Sequence, residues 1–496
     1  MRLTSLLFMS FLACVFAAQV EITVLQTTDT HSSLTAEDRP GGQPNVLKLA
    51  SLIRTEKAKD KDAILIDCGD CVQGSISSSV TKGMAGLQPF LVLPYDVWVP
   101  GNHEMDYGVE RFGDFCEAVG DKLLCGNVHL KGGRIYPAWR IIERKGARIA
   151  VIGMSGSFFK NWLLAEDYAK IESSMVLDVL DKLLPEVVAA KPDAIVLAIH
   201  QAWFEGGRDK RGVNEVNDIA ARFPELDLIL GGHSHRAIPG VRIGKKAWYV
   251  QAGAKAHSLG IVKMTLDTKE HKVIDIHSSL EVVNENTPED EELKEAMKKY
   301  SQLAQAVLAV DTGVTLKERI SHEGKPGTGC QTSALIAAAI AEASGADVSF
   351  HGKLYDISLE PGKVKMETYF WLVPYENRIV TFDATAEQLE KIMEEQWVHH
   401  KSYRFNGPWN MQFSINEGKA KLLKICGKEA EAGRKWRVAV NSHAAAGSGA
   451  FPFLQKWITM PEANTKLSDI TSRQAVMRYL AKHQDNLKLE ADWIVK

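Results

Sequence analysis

Cysteine is scarce in this chain, seven among 496 residues. So small a number excludes a disulfide framework as the main support of the fold. Beyond residues 1–18 there is no apolar run long enough for a helix to span a bilayer, so no membrane-spanning helix is expected there. Charge of either sign is also not in excess: 59 Lys and Arg against 62 Asp and Glu give a formal net charge of -3. A standing attraction to nucleic acid or anionic lipid is therefore excluded, and any phosphate must be held by local groups. Repeats and low-complexity tracts are absent. What is present is the 45% hydrophobic, 24% charged make-up of a globular chain, with a length that predicts two domains.

Residues 1–18, MRLTSLLFMSFLACVFAA, carry Arg2, an apolar run and then small residues at Ala17 and Ala18. This is the layout of a signal peptide cleaved after Ala17 or Ala18, so a periplasmic or secreted protein is expected. Lipid attachment at Cys14 is the less favoured alternative, because a strand predicted from Val20 leaves almost no tether. Cys116 with Cys125 is the one disulfide the reading offers. Cys68-Gly69-Asp70-Cys71 has redox-pair spacing but lacks a thioredoxin-like setting.

From Val20 to Val283, short apolar runs alternate with amphipathic segments: VEITVLQTTD, the helix from Asn45 to Lys59, DAILIDCGD, DVWVPGNHE, RIAVIGM, DAIVLAIH and LDLILGG. Buried strands separated by helices predict an α/β layered domain. Thr287-Pro288 followed by four acids predicts a helix capped by Thr287, with Leu293, Met297, Tyr300, Leu303, Ala304 and Val307 at helical spacing. It serves as the interdomain linker. From Val310 onward, helices at Thr332–Ser344 and Ala386–Gln396 and strands near Asp347–His351 and Ile379–Asp383 predict a mixed α+β domain.

The polar residues of the first domain fall where its strands end. Asp29 and His31, Asp70, Asn102 and His103, His200, and His233 with His235 follow five apolar runs. In an α/β sheet the carboxyl ends of parallel strands share one edge, so these groups are expected to converge. Each has a plain alternative, a turn residue or a buried core histidine, but the ordered set points to metal. Imidazole with carboxylate or amide oxygen suits zinc, manganese, cobalt, iron or magnesium, and seven donors suit two divalent ions sharing a carboxylate.

TTDTHSS, DCGDCVQG, PGNHEMDYG, the lone AIH and GGHSH together resemble, in order, the motifs of the calcineurin-like metallophosphoesterases. The whole chain is similar to the exported two-domain 5'-nucleotidases and 2',3'-cyclic nucleotide phosphodiesterases. The resemblance implies a four-layer α/β/β/α metallophosphoesterase domain over 19–285, a linker helix over 286–310 and a smaller α+β 5'-nucleotidase-type domain over 311–496. It further implies one metal on Asp29, His31, Asp70 and His235, a second on Asp70, Asn102, His200 and His233, and attack by metal-activated hydroxide. His103, oriented by Asp106, would stabilise the phosphate or protonate the leaving alcohol, with Glu104 in support.

In the second domain LEPGKVKMETYFWLVPYENRIVTFDATAEQLEKIMEE resembles the family's C-terminal region, and NSHAAAGSGAFPFL its Gly-rich nucleoside loop. Three departures concern substrate choice. The family's N-G-G-x-I-R, whose Arg faces the substrate, reads His351-Gly352-Lys353-Leu354-Tyr355-Asp356 here, so the cation is gone or replaced by Lys353. His443 stands where an aromatic usually stacks on the base, and Gly449 where an acid is usual. Tyr403, Phe405 and Trp409 are the remaining stacking candidates; His257, His399 and His400 are read as structural or surface residues. The expected reaction is phosphate release from nucleoside 5'-monophosphates. Alternatives are a 2',3'-cyclic nucleotide phosphodiesterase, a UDP-sugar hydrolase, a thiosulfohydrolase-like enzyme, or a metal-binding protein without catalysis.

Overall fold

The computed structural model describes residues 19–35, 44–206, 214–402, 404–448, 451–489 and 493–495. The proposed signal segment, Cys14, Tyr403 and Gly449 lie outside the described residues. In the first domain two sheets stack face to face. One runs in the order Lys272–Val282, Ser258–Asp267, Gln19–Thr27, Ile64–Asp67, Val97–Trp98; the other runs Ala237–Ile243, Ala247–Ala252, Leu228–Leu230, Ala194–Ile199, Ala147–Met154, Trp139–Arg144.

Strand alternation builds the layers. Ile22, Val24, Ile64 and Ile66 meet Ile149, Val151, Val196 and Ala198 between the sheets. Their neighbours Leu25 and Leu65 point the other way, onto Leu47 and Ile53 of the helix Val46–Lys59. Ala150, Ile152, Leu197 and Ile199 pack outward against the helix Val176–Ala189. Both faces of the central strands are thus buried, which is why they read as unbroken apolar runs. The strands ending before Asp29, Asp70 and Asn102 are mutually parallel, as are those ending before His200 and His233. Their carboxyl ends therefore open on one rim.

The linker helix is Glu291–Leu308, and its cap is Asp290, whose side chain accepts from the Leu293 amide at 2.8 Å. Thr287 instead closes the preceding turn, accepting from the Asn284 amide at 3.0 Å. The run offers two possible caps, and the one beyond Pro288 is used. Leu293, Met297 and Tyr300 join the first domain's core and Val307 packs on the second's, while Leu303 is exposed.

The second domain has a five-stranded sheet ordered Gly407–Trp409, Val348–His351, Trp436–Asn441, Arg378–Ala384, Lys466–Thr471, with the helices Gln331–Ser344 and Ser472–His483 against it. A four-stranded sheet built around Met411–Asn416 and Lys419–Ile425 shares a core with the helix Ala386–Trp397. The expected Cys116–Cys125 bond is not formed. Both are free thiols, Cys116 buried on the helix Val109–Val119 and Cys125 directed at Asn127. Cys68 and Cys71 are likewise free and buried, with burial pushing both thiols up, the opposite of what redox chemistry requires.

Candidate active site

The rim that collects the strand ends is built from strained backbone. Asp29, His31, Asp70, His233 and His235 all adopt left-handed φ, from +46° to +70°. Each such non-glycine residue costs about 1–2 kcal/mol, so neighbouring contacts must hold it. The Asp29 amide donates to Gly69 O at 2.8 Å and the His31 amide to Asp70 O at 2.9 Å, tying two strand ends together. Glu104, fully buried, accepts from the amides of Asp70, Cys71 and Gly101 at 2.9, 2.7 and 2.6 Å. It is an anchor of the loop. Gly101 is required by space: a Cβ there would stand 2.2 Å from Asp70 Oδ1.

On this frame the donors form two groups. His31 Nε2 lies 2.9 Å from His235 Nε2, with Asp29 Oδ1 3.6 Å from the latter and Asp70 Oδ2 3.9 Å from the former. In the second group His200 Nε2 stands 3.0 Å from Asp70 Oδ2, and His233 Nδ1 stands 3.0 Å from Asn102 Oδ1. Asp70 is common to both. The set fits cations by its own chemistry. His31 Nδ1 faces Gln73 O at 3.3 Å and so carries the proton of the neutral ring, which leaves the His31 Nε2 lone pair facing His235 Nε2, an arrangement that a cation between them satisfies. His200 Nδ1 donates to Cys68 O at 2.6 Å; burial would lower this ring, but Asp70 and then Asp29 raise it to about 10, so without an ion a proton stands where the metal would. Asn102 Nδ2 is buried without a hydrogen-bond partner among the described residues.

Electrostatics prepare the same state. Burial pushes His233 down to about 3 and His235 down to about 4, and lowers His31, so all three are neutral donors. Burial acts to raise Asp70, but the His200 and His103 charges outweigh it and hold the carboxyl well below its usual range. Asp29 is lifted by burial to about 7.

His103 borders these groups, close enough to His31 and Asp70 for the three to hold an ion between them, but its own ring partner is Asp106. Its Nδ1 is 2.6 Å from Asp106 Oδ2 and its amide donates to Asp70 Oδ1 at 2.8 Å. Burial alone would lower it, yet Asp106 and then Asp70 raise it to about 9, so the ring is an imidazolium at neutral pH. Three aromatics that sequence reasoning missed surround this centre. Trp162 meets His103 edge-to-face at 4.9 Å, Tyr375 of the second domain stacks over it at 6.2 Å, and Phe158 lies 4.7 Å from His233.

The stacking candidates divide. His443 reaches the site's edge, with its ring perpendicular to Trp162 at 5.2 Å. Phe405 does not: it is fully buried in the second domain's own core beside Trp397, so no substrate ring can lie on it. Trp409 is half-buried and pairs with Ser349, two residues along the strand from His351. The domains join through Gln73 Nε2 to Pro374 O at 3.3 Å, Ser448 Oγ to Asn161 O at 2.8 Å, and a buried Arg473 that reaches Val373 O, Ser79 and Glu376.

Residues 22–237 match the calcineurin-like phosphoesterase model, and residues 306–456 match the 5'-nucleotidase C-terminal domain model. The chain is 24% identical over 493 residues to the 5'-nucleotidase of Vibrio vulnificus, covering 88% of this chain and 86% of that protein. It is 23% identical to the Endonuclease YhcR of Bacillus subtilis across 81% of this chain, but it spans only 34% of that longer protein. Its fold superposes on the 5'-nucleotidase precursor of Thermus thermophilus with a TM-score of 0.73 at 19% identity, covering 96% of this chain and 97% of the other. By its two domains, joined in this order, the chain belongs to the family that couples a calcineurin-like phosphoesterase to a 5'-nucleotidase C-terminal domain.

Proposed function

We propose that this chain is an exported two-metal phosphoric ester hydrolase whose first substrates are nucleoside 5'-monophosphates. The observation that carries the reading is the double donor group around Asp70 with an imidazolium, His103, beside it. Asp29, His31, Asp70 and His235 would hold one divalent ion, and Asp70, Asn102, His200 and His233 the other. Ions held there supply Lewis-acid neutralisation of the phosphate and make water nucleophilic at neutral pH. Asn102 as a neutral ligand limits the negative charge facing the phosphate. His103 donates a hydrogen bond to a phosphoryl oxygen or a proton to the departing alcohol, and Asp106 keeps the ring charged and oriented. Trp162 and Tyr375 shield that proton from solvent.

The relatives named 5'-nucleotidase favour nucleotides. Export rests on the layout of residues 1–18 and is tested by whether the chain accumulates outside the cytoplasm with that segment removed. The reaction is tested by product analysis with manganese or zinc supplied: inorganic phosphate released from nucleoside monophosphates and a simple aryl phosphate, and nucleoside monophosphate released from 2',3'-cyclic nucleotides and UDP-sugar. Release from the monophosphates is expected; cleavage of the cyclic diesters alone would contradict the substrate choice, and no release from any of them would contradict the reading.

A further inference from the structure

We infer that Glu215, a buried acid outside both donor groups, is the positioning residue for the second ion's site, a role that rests on the two-ion reading above. The rim is made by strand ends of two sheets. Glu104 fixes the loops of the first sheet by accepting from three backbone amides. The second sheet brings His200 and His233, and Glu215 is the acid that serves it.

Ala147–Met154 and Ala194–Ile199 are neighbouring parallel strands, and the chain beyond each of them reaches the same carboxylate. Ser157 Oγ donates to Glu215 Oε2 at 2.5 Å, and Gln201 Nε2 donates to the same oxygen at 3.2 Å. The Glu215 amide in turn donates to Gln201 Oε1 at 2.8 Å, so the acid and the amide side chain hold each other in a closed pair. Glu215 also starts the helix Val216–Arg222, where its carbonyl accepts from the Ile219 amide at 2.7 Å. Its backbone is thereby fixed as well as its side chain.

Each partner leads to the second donor group. Gln201 directly follows His200, and its carbonyl accepts from the amide of Gly232, the residue before His233, at 3.0 Å. Gly232 has little room to shift: a Cβ there would stand 2.5 Å from Thr28 Oγ1 and 3.1 Å from His200 Nδ1. Ser157 precedes Phe158, whose ring lies 4.7 Å from that of His233. One side chain therefore sets the placement of both histidines and of the aromatic wall beside His233. Its hydrogen bonds do not extend to Asp29, His31 or His235 among the described residues.

Glu215 and Gln201 are fully buried, and Glu215 Oε1 has no hydrogen-bond partner among the described residues. Taking a carboxylate out of water with one oxygen unbonded costs stability, so packing does not account for an acid here. Its two accepted hydrogen bonds do, because histidines bind an ion tightly only when outer contacts fix their placement.

The test is isothermal calorimetry of manganese binding to the metal-free, full-length protein, comparing wild type, Glu215→Ala and Glu215→Gln. Two ions are expected in the wild type. In Glu215→Ala the dissociation constant of one ion should weaken about 10- to 100-fold while the other keeps its wild-type value. The ion that His200→Ala retains should bind equally well with and without Glu215→Ala, which assigns the weakened ion to the second group. Glu215→Gln can still accept from Ser157 and Gln201 and should restore both affinities. Gln201→Met, which keeps the length and loses the hydrogen bonds, carries the same expectation as Glu215→Ala, so either protein decides the matter if the other does not fold. Equal weakening of both ions would overturn the proposal, as would a Glu215→Gln protein as impaired as Glu215→Ala. A wild type that binds a single ion would overturn the two-ion reading and the proposal with it; two ions in the wild type and unchanged affinities in Glu215→Ala would overturn the proposal alone.

Discussion

At the scale of single residues, His103 and Glu104 are neighbours with opposite duties. Glu104 spends both carboxylate oxygens on three backbone amides, which turns the loop so that Asp70 and His103 face the same space. His103 keeps one ring nitrogen on Asp106 and leaves the other for chemistry. His103→Ala is therefore expected to lower kcat by about 10²- to 10⁴-fold while both metals stay bound, checked by steady-state kinetics beside metal analysis. Gly101→Ala should behave otherwise. The added methyl drives into the Asp70 carboxylate, so metal content falls together with activity, read by the same pair of measurements.

At the scale of elements, strands and their ends were legible and contacts between distant elements were not. An apolar run followed by Asp or His is a local pattern, and all five such ends meet on the rim because their strands are parallel within each sheet. The helix Ala386–Trp397 was legible for a similar reason: Thr385 and Gln388 form a capping box and Leu389, Ile392 and Met393 repeat at helical spacing. Thr287 misled because Asp290 offers an equal cap three residues on. The burial of Phe405 is not legible because aromatic character does not say which side of a loop is inside, and Trp162 and Tyr375 carry no local signal because each matters only through a histidine far away in the chain.

The strand Val348–His351 carries a pH dependence of its own. His351 is buried, its Nδ1 faces Gly352 O at 2.6 Å and its Nε2 faces Asn441 at 3.0 Å, and burial pushes it down from 6.5 to about 4. The neutral form is favoured on folding, so its contribution is complete above pH 6.5 and is lost as pH falls from there towards 4. Between pH 7 and 4.5 the wild type should lose about 2–3 kcal/mol more than His351→Gln, measured by denaturant unfolding of the second domain's tryptophan signal.

At the scale of the whole molecule, the two domains close over the centre through a few polar contacts around Arg473. Its guanidinium stacks on Phe370 at 4.2 Å and bonds Val373 O at 3.0 Å and Ser79 Oγ at 2.8 Å, bridging the segment that carries Tyr375 to the first domain. Arg473→Ala should loosen that closure, raising the radius of gyration in small-angle scattering and raising KM more than it lowers kcat.

The claim on which the rest depends is that seven side chains from five strand ends hold two divalent ions through a shared Asp70. The most direct measurement is metal stoichiometry by mass spectrometry on the purified chain after dialysis against manganese or zinc, with phosphate release recorded on the same samples. The account predicts two ions per chain with hydrolysis in the wild type, and loss of both ions and of hydrolysis in Asp70→Ala. A single ion per chain in the wild type, or an Asp70→Ala protein that keeps two ions and turns over substrate, would contradict it.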